Sequence, residues 1–258
     1  MDSSKVSISI KGLQKSYGTH HVLKGIDLEV ESGSIIGYIG PNGAGKSTTI
    51  KILCGITSDF EGQVTVNGID LRSNPLEVKR QIGYIPEKAA LYATLTPMEY
   101  LEFVGQLYGL NRDTIADKSL RLLELFDMKG VAYNRMDTFS KGMQQKVLII
   151  SGLINNPKIL FLDEPLSGLD ANSVIIVKEM LLQLAREGKT IFYSSHLMDV
   201  VEKISNRIVL IDKGVVVADG TFESLNQGRG ESLEKLFAEL TGEKGLTDRA
   251  EKIVQAFE

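Results

Sequence analysis

The segment Gly40-Pro41-Asn42-Gly43-Ala44-Gly45-Lys46-Ser47-Thr48 constrains the fold of this chain more than any other. The apolar run Ile35-Ile36-Gly37-Tyr38-Ile39 precedes it, and Ile50-Lys51-Ile52-Leu53 follows. A run that is apolar at successive positions, not alternate ones, suits a strand buried on both faces of a parallel sheet. A helix is expected from about Lys46. A buried strand, a glycine-rich turn and a helix in direct succession point to an α/β chain. The loop residues also suit a ligand. Phosphate oxygens need many donors at close range, and glycines let the backbone curl with its N–H groups inward. The helix N-terminus adds a favourable dipole for an anion. The segment from Gly40 to Ser47 fits G-x-x-x-x-G-K-[ST], in which Lys46 faces the β- and γ-phosphates and the Ser47 hydroxyl is a hard ligand for Mg²⁺.

The rest of the chain is organised around that unit. Residues 5–30 read as strands with polar turns, with the alternation Val6–Ile8–Ile10 marking a half-buried strand. Residues 63–70 read as a further strand and turn. Residues 97–156 carry helical patterns with almost no strand signal. Strands and helices then alternate again: a strand over 158–165, a helix with Val174, Val177, Leu181 and Leu184 on one face, a strand over 190–195, a helix and a last strand near 207–214. A parallel sheet with a helical block inserted into it accounts for this order. The chain closes with a helix presenting Leu233, Leu236, Phe237 and Leu240. A weaker amphipathic stretch follows, with Leu246, Ala250, Ile253 and Val254. The expected fold is a P-loop NTPase core with an N-terminal antiparallel β subdomain and an inserted helical subdomain. The expected division is an ATP-binding domain over 1–222, with the insertion over 88–157, and a short helical tail over 223–258.

A second site is legible at Ile159-Leu160-Phe161-Leu162-Asp163-Glu164. Two acids at the C-terminal end of a central parallel strand lie where such sheets bind ligands. Asp163 suits the Mg²⁺ shell. Glu164 suits the polarisation of a water for in-line attack.

Loop, acidic strand and the segments between them resemble the nucleotide-binding subunit of ATP-binding-cassette (ABC) transporters, from about Val6 to Gly220. That family carries a signature usually written LSGGQ. Ser140 and Gly142 match it here, while Lys141 and Met143 depart from it. The resemblance implies that Ser140 and Gly142 cap the γ-phosphate of ATP held by a second subunit. It implies that Tyr17 stacks on adenine, that residues 167–170 are the family's D-loop with Asp170 along the dimer interface, and that His196 contacts the γ-phosphate. Glu87 stands where the family usually has Gln, a residue that senses Mg²⁺ and the attacking water and couples to the membrane partner. A carboxylate keeps a metal or water contact, but only as an acceptor. The resemblance is strongest to exporter-type subfamilies. It implies an ATPase that uses ATP and Mg²⁺ and catalyses with Lys46, Glu164 and His196. It further implies pairing with a second such subunit, in a homodimer, and a separate integral membrane permease on whose cytoplasmic face the protein sits.

Composition narrows the alternatives. A net charge of −4 gives no electrostatic footprint for nucleic acid. The single cysteine, Cys54, excludes an internal disulfide and sits in an apolar context. No signal segment is evident, and the most apolar stretch, residues 147–154, is far short of the roughly 18 residues a spanning helix needs. A soluble intracellular chain is expected. Two other readings are a soluble ABC ATPase acting on DNA or ribosomes, and a non-catalytic nucleotide-binding regulator. The first meets no long coiled coil and a single cassette. The second meets an intact set of Lys46, Asp163, Glu164 and His196.

Overall fold

In a computed structural model of the chain, residues 6–88, 91–227, 230–242 and 257 are described. Two long strands come first, β1 (Val6–Tyr17) and β2 (His20–Glu31), then β3 (Ile35–Ile39) and α1 (Lys46–Leu53). Strands β4 (Glu61–Val66) and β5 (Ile69–Asp70), helix α2 (Pro75–Gln81) and β6 (Ile82–Ile85) complete the first part. Helices α3 (Pro97–Leu107), α4 (Arg112–Leu125) and α5 (Lys141–Leu153) follow. Then come β7 (Ile159–Asp163), α6 (Ala171–Arg186), β8 (Thr190–Ser194), α7 (Met198–Ile204), β9 (Arg207–Asp212) and β10 (Val215–Gly220). Short helices α8 (Phe222–Asn226) and α9 (Leu233–Leu240) end the described chain.

The strands form two sheets. One is antiparallel, ordered β2-β1-β4-β5; the other has six strands in the order β10-β9-β3-β8-β7-β6. In the larger sheet all neighbours pair in parallel except the edge strand β10. Every residue of β3, β7 and β8 is buried. Alternate residues serve opposite faces. Ile35, Ile39, Leu160 and Leu162 join the cluster under the helices, whereas Ile36, Tyr38, Ile159 and Phe161 join the cluster under the antiparallel sheet. A strand with two covered faces leaves polar residues to its ends, here Asp163, Thr190 and Ser194, which is why the segments between read as continuous apolar runs.

Between β6 and β7 the described residues hold helices and short 3-10 turns and no strand. Local chemistry starts each helix. Thr96 and Glu99 form a capping box ahead of α3, whose first residue is Pro97. Asn111 caps α4 and Ser140 caps α5. Helix α5 lies close on β6, because a Cβ at Gly83 would meet the carbonyl oxygen of Gly152. Helix α9 buries Leu233 and Leu236, and the Leu233 N–H donates to Glu202 of α7 (3.0 Å). The amphipathic stretch with Leu246, Ala250, Ile253 and Val254 lies outside the described residues. Helix α2 and strand β10 carry no clear sequence signal: α2 is a short polar helix behind Pro75, and β10 alternates on an exposed edge. Among the described residues no helix is long and apolar enough to cross a membrane.

The topology positions the site. Strands β3, β8, β7 and β6 are neighbours and run in the same direction. Their C-terminal ends therefore deliver the glycine loop, His196, Asp163 with Glu164, and Glu87 to one edge of the sheet.

Candidate active site

A cleft of about 680 Å³ opens at that edge. Asn42, Gly43, Gly45, Lys46, Ser47 and Thr48 line it from the loop and α1, with Glu87, Asp163, Glu164 and His196 opposite. Gly43 and Gly45 have φ of 81° and 112°, in the left-handed region that favours glycine. At Gly45 a Cβ would also lie 2.5 Å from the Leu23 side chain, and at Gly40 it would meet the Ile211 carbonyl. The loop is thus a backbone cradle in which Gly40 and Gly45 leave no space for a side chain and Gly43 serves by its backbone angle. Lys46 folds over it, donating from Nζ to the carbonyls of Gly40 (2.6 Å) and Pro41 (3.2 Å). The amide of Ala44 donates to Pro41 (3.1 Å) and closes the turn. Burial lowers the ammonium's pKa, while the negative charges of Glu164, Asp163 and Glu87 act against that.

Asp163 is only 3% exposed. Burial raises its carboxyl, a hydrogen bond from the Ser47 hydroxyl opposes this, and the charges of Glu87 and Glu164 add to the rise. A buried carboxylate beside a hydroxyl and two other acids gains from a cation. Among the described residues, however, no group of three or more His, Cys, Asp or Glu side chains stands close enough to hold a metal unaided. That donor set fits Mg²⁺, which takes one or two protein ligands and completes its shell with phosphates and water. It does not fit a caged structural metal.

Glu164 is held in an unusual way. Its φ is 51°, a left-handed conformation rare for a non-glycine residue. Its N–H donates to the Ser194 carbonyl (2.9 Å). One carboxylate oxygen, Oε2, accepts from the Ser195 hydroxyl (3.2 Å), the His196 N–H (3.3 Å) and His196 Nδ1 (2.8 Å). None of these bonds uses the other oxygen, Oε1.

Other sequence-expected residues stand apart from the cleft wall. Gly40 and Pro41 contribute carbonyls, and Ala44 is buried beneath the loop. Tyr17 ends β1 half exposed and pairs with His20 across the hairpin turn. Ser140 and Gly142 do not line the cleft. Ser140 accepts from the Met143 N–H (3.3 Å), which leaves its hydroxyl proton free. Gly142 is pressed onto the next loop, where a Cβ would lie 2.7 Å from the Gly168 carbonyl oxygen. Asp170 caps α6 through the Ser173 N–H (2.9 Å) and hydroxyl (2.7 Å), and these bonds lower its pKa to about 2. Gln145 donates to the Pro165 carbonyl (2.9 Å), so the start of α5 and the loop after Glu164 are joined.

His20 and Val22, which carry no motif, also line the cleft, as does Ser167 at the start of the segment expected at the dimer interface. His20 is exposed and borders the site. The spacing Tyr17-Gly18-Thr19-His20 carried the signal, since a two-residue hairpin turn sets its first and last residues opposite each other.

Comparison with known proteins agrees with this architecture. The family model described as "ABC transporter" matches residues 23–167. NatA of Bacillus subtilis, an ABC transporter ATP-binding protein, is 39% identical over 217 residues, covering 83% of this chain and 88% of that protein. EcsA of the same organism is 34% identical and covers 92% and 97%. A solved ATP-binding subunit of an ABC transporter superposes with a TM-score of 0.85 at 33% identity, over 91% of this chain and 99% of that one. A glycine cradle, a lysine folded over it and acids at the ends of neighbouring strands thus occur in a chain that belongs to the family of ABC transporter ATP-binding proteins.

Proposed function

We propose that this chain is the ATP-hydrolysing subunit of an ABC transporter, acting with Mg²⁺, as a homodimer, beneath a separate permease. The observation that carries the reading is the convergence of Lys46, Ser47, Glu87, Asp163, Glu164 and His196 on one cleft, while the signature residues Ser140 and Gly142 lie outside it. A site that lacks its cap within one chain is completed by a second copy turned head to tail. A solved dimeric bacterial ABC transporter cassette, 25% identical with a TM-score of 0.78, supports pairing of this kind.

Within the cleft the loop amides and Lys46 bind and orient the phosphates. Ser47, Asp163 and Glu87 are the residues that would hold Mg²⁺, which when bound neutralises phosphate charge. Glu164 keeps Oε2 engaged with Ser195 and His196 and presents Oε1 to the attacking water as acceptor of its proton. His196, held by Glu164, faces the γ-phosphate. Positioning and charge neutralisation supply most of the rate, since phosphoryl transfer leaves little covalent work for the protein.

An apolar groove of about 450 Å³ lies near α2 and α3, lined by Ile56, Leu76, Ile82, Tyr84, Val104 and Leu107. Leu76 and Leu107 are 69% and 72% exposed, an arrangement that suits an apolar segment of the permease. The protein then sits on the cytoplasmic face of the membrane. Relatives named for linearmycin resistance and for Nod factor export, 36% and 32% identical, favour export. We take residues 1–222 as the ATP-binding domain, with the helical subdomain inserted over 88–157, and 223–258 as a short C-terminal tail.

The test is phosphate release by the purified chain with ATP, with and without Mg²⁺. Release that requires Mg²⁺ is expected. A protein that binds ATP but releases no phosphate is a regulator instead, and one that fully turns over in chelator has no metal role for Asp163. Glu87→Ala should keep nucleotide affinity but lower transport per ATP in the reconstituted complex. Unchanged transport per ATP would remove position 87 from the coupling contact.

A further inference from the structure

Strand β1 is irregular near its end, with register shifts between Ile10 and Leu13, between Leu13 and Gln14 and between Lys15 and Ser16. Leu13 is fully buried, Lys15 is 5% exposed and Tyr17, at the strand end, is 50% exposed. A lysine seldom lies this deep unless its charge is used. The Lys15 ammonium has two neighbours. It donates to Asp59 Oδ2 at 2.7 Å, and it lies over the Tyr17 ring, 4.7 Å from the centroid. Asp59 is 96% exposed, so the ion pair is screened by water and is a weak reason to bury a cation. The contact with the ring is different. A cation within about 6 Å of an aromatic centroid is attracted to the face of the ring. Lys15 therefore occupies one face of Tyr17. With Lys15 on one face and the residue half exposed, the opposite face is the one left to stack on another planar group. It stands beside the cleft, because Tyr17 pairs with His20, which lines that cleft together with Gly43, Gly45 and Thr48.

We infer that Lys15 is a positioning residue for nucleobase recognition. It fixes the Tyr17 ring at the end of β1 so that only the face opposite the cation is offered to the base. It also draws π-density toward itself, which favours stacking of an electron-rich purine on that open face. The inference rests on the assignment of Tyr17 to the nucleobase and adds a residue that acts through it. Lys15 has no part in binding phosphate.

The test compares ATP with inorganic triphosphate, a probe without a base, by titration calorimetry on the full chain. Lys15→Met should weaken ATP binding by about 3- to 10-fold, the range a partly desolvated cation–π contact supports. Binding of triphosphate should be unchanged. The KM for ATP should rise by the same factor, with kcat retained. Lys15→Arg keeps a cation over the ring and should restore binding to within about twofold of the parent. Tyr17→Ala should weaken ATP by about 5- to 100-fold, the loss of a base–aromatic stack. In that background Lys15→Met should add almost nothing. If Lys15→Met does not fold, Lys15→Gln, which keeps a polar head for Asp59, replaces it with the same expectation. Unchanged ATP affinity in the neutral variants, or an equal loss for ATP and triphosphate, overturns the role of Lys15 while Tyr17 keeps its own. Unchanged ATP affinity in Tyr17→Ala overturns the nucleobase assignment and this inference with it.

Discussion

Glu164→Gln is expected to bind ATP as the parent does, to hydrolyse it about 10²–10⁴ times more slowly, and to become a dimer with ATP and Mg²⁺. The amide oxygen can take over the bonds from Ser195, His196 N–H and His196 Nδ1 that Oε2 accepts, so the loop should keep its geometry. What is lost is a carboxylate able to take a proton from water. If Ser140 and Gly142 cap the phosphate held by the other copy, ATP that is not hydrolysed should hold the two chains together. The same protein should return to monomer with ADP. Adding Ser140→Arg should prevent the dimer while ATP still binds the loop, because a bulky cation then stands in place of the small donor. Light scattering with each nucleotide reads all of these states. A variant that stays monomeric in saturating ATP, or that turns over at the parent rate, refutes the composite site.

Lys46→Ala should abolish measurable hydrolysis, with a loss of at least about 10²–10³-fold, as for removal of a preorganised charge at a reacting group. The structure gives the reason. Lys46 is the cation among Glu87, Asp163 and Glu164, and it reaches across the loop to the Gly40 and Pro41 carbonyls. Without it the phosphates meet three carboxylates with no protein ammonium between them, so ATP affinity should fall as well. Phosphate release and equilibrium binding measure the two effects separately. Parent-level turnover in this variant would remove the loop from the mechanism.

Much of this site was legible because its parts are local. The cradle needs glycines at particular backbone angles, and Gly43 and Gly45 have them. The acids follow directly from a strand whose five residues are all buried. Other features were not legible, each for a physical reason. Helix α2 is too short and polar to show a face, and only Val78 on it is buried. Glu164 joins a left-handed conformation to a hydrogen bond with Ser194 on the neighbouring strand, a partner its own segment does not announce. The bond from Gln145 to the Pro165 carbonyl joins residues twenty apart across the base of a loop. His20 belongs to no motif, and only the hairpin turn brings it to the cleft.

By itself the sequence determined the α/β class, the buried parallel strands, the helical block between them and the positions of the glycine loop and the acids along the chain. These depend on periodicity and short-range backbone chemistry, which lie along the chain. Only the tertiary structure decided which residues meet. The strand order β3-β8-β7-β6 set Lys46, His196, Glu164 and Glu87 at one edge, and left Ser140 and Gly142 outside it. The same packing laid the ammonium of Lys15 on the ring of Tyr17. Such contacts are chosen by which faces must be buried together, and no single segment carries that information.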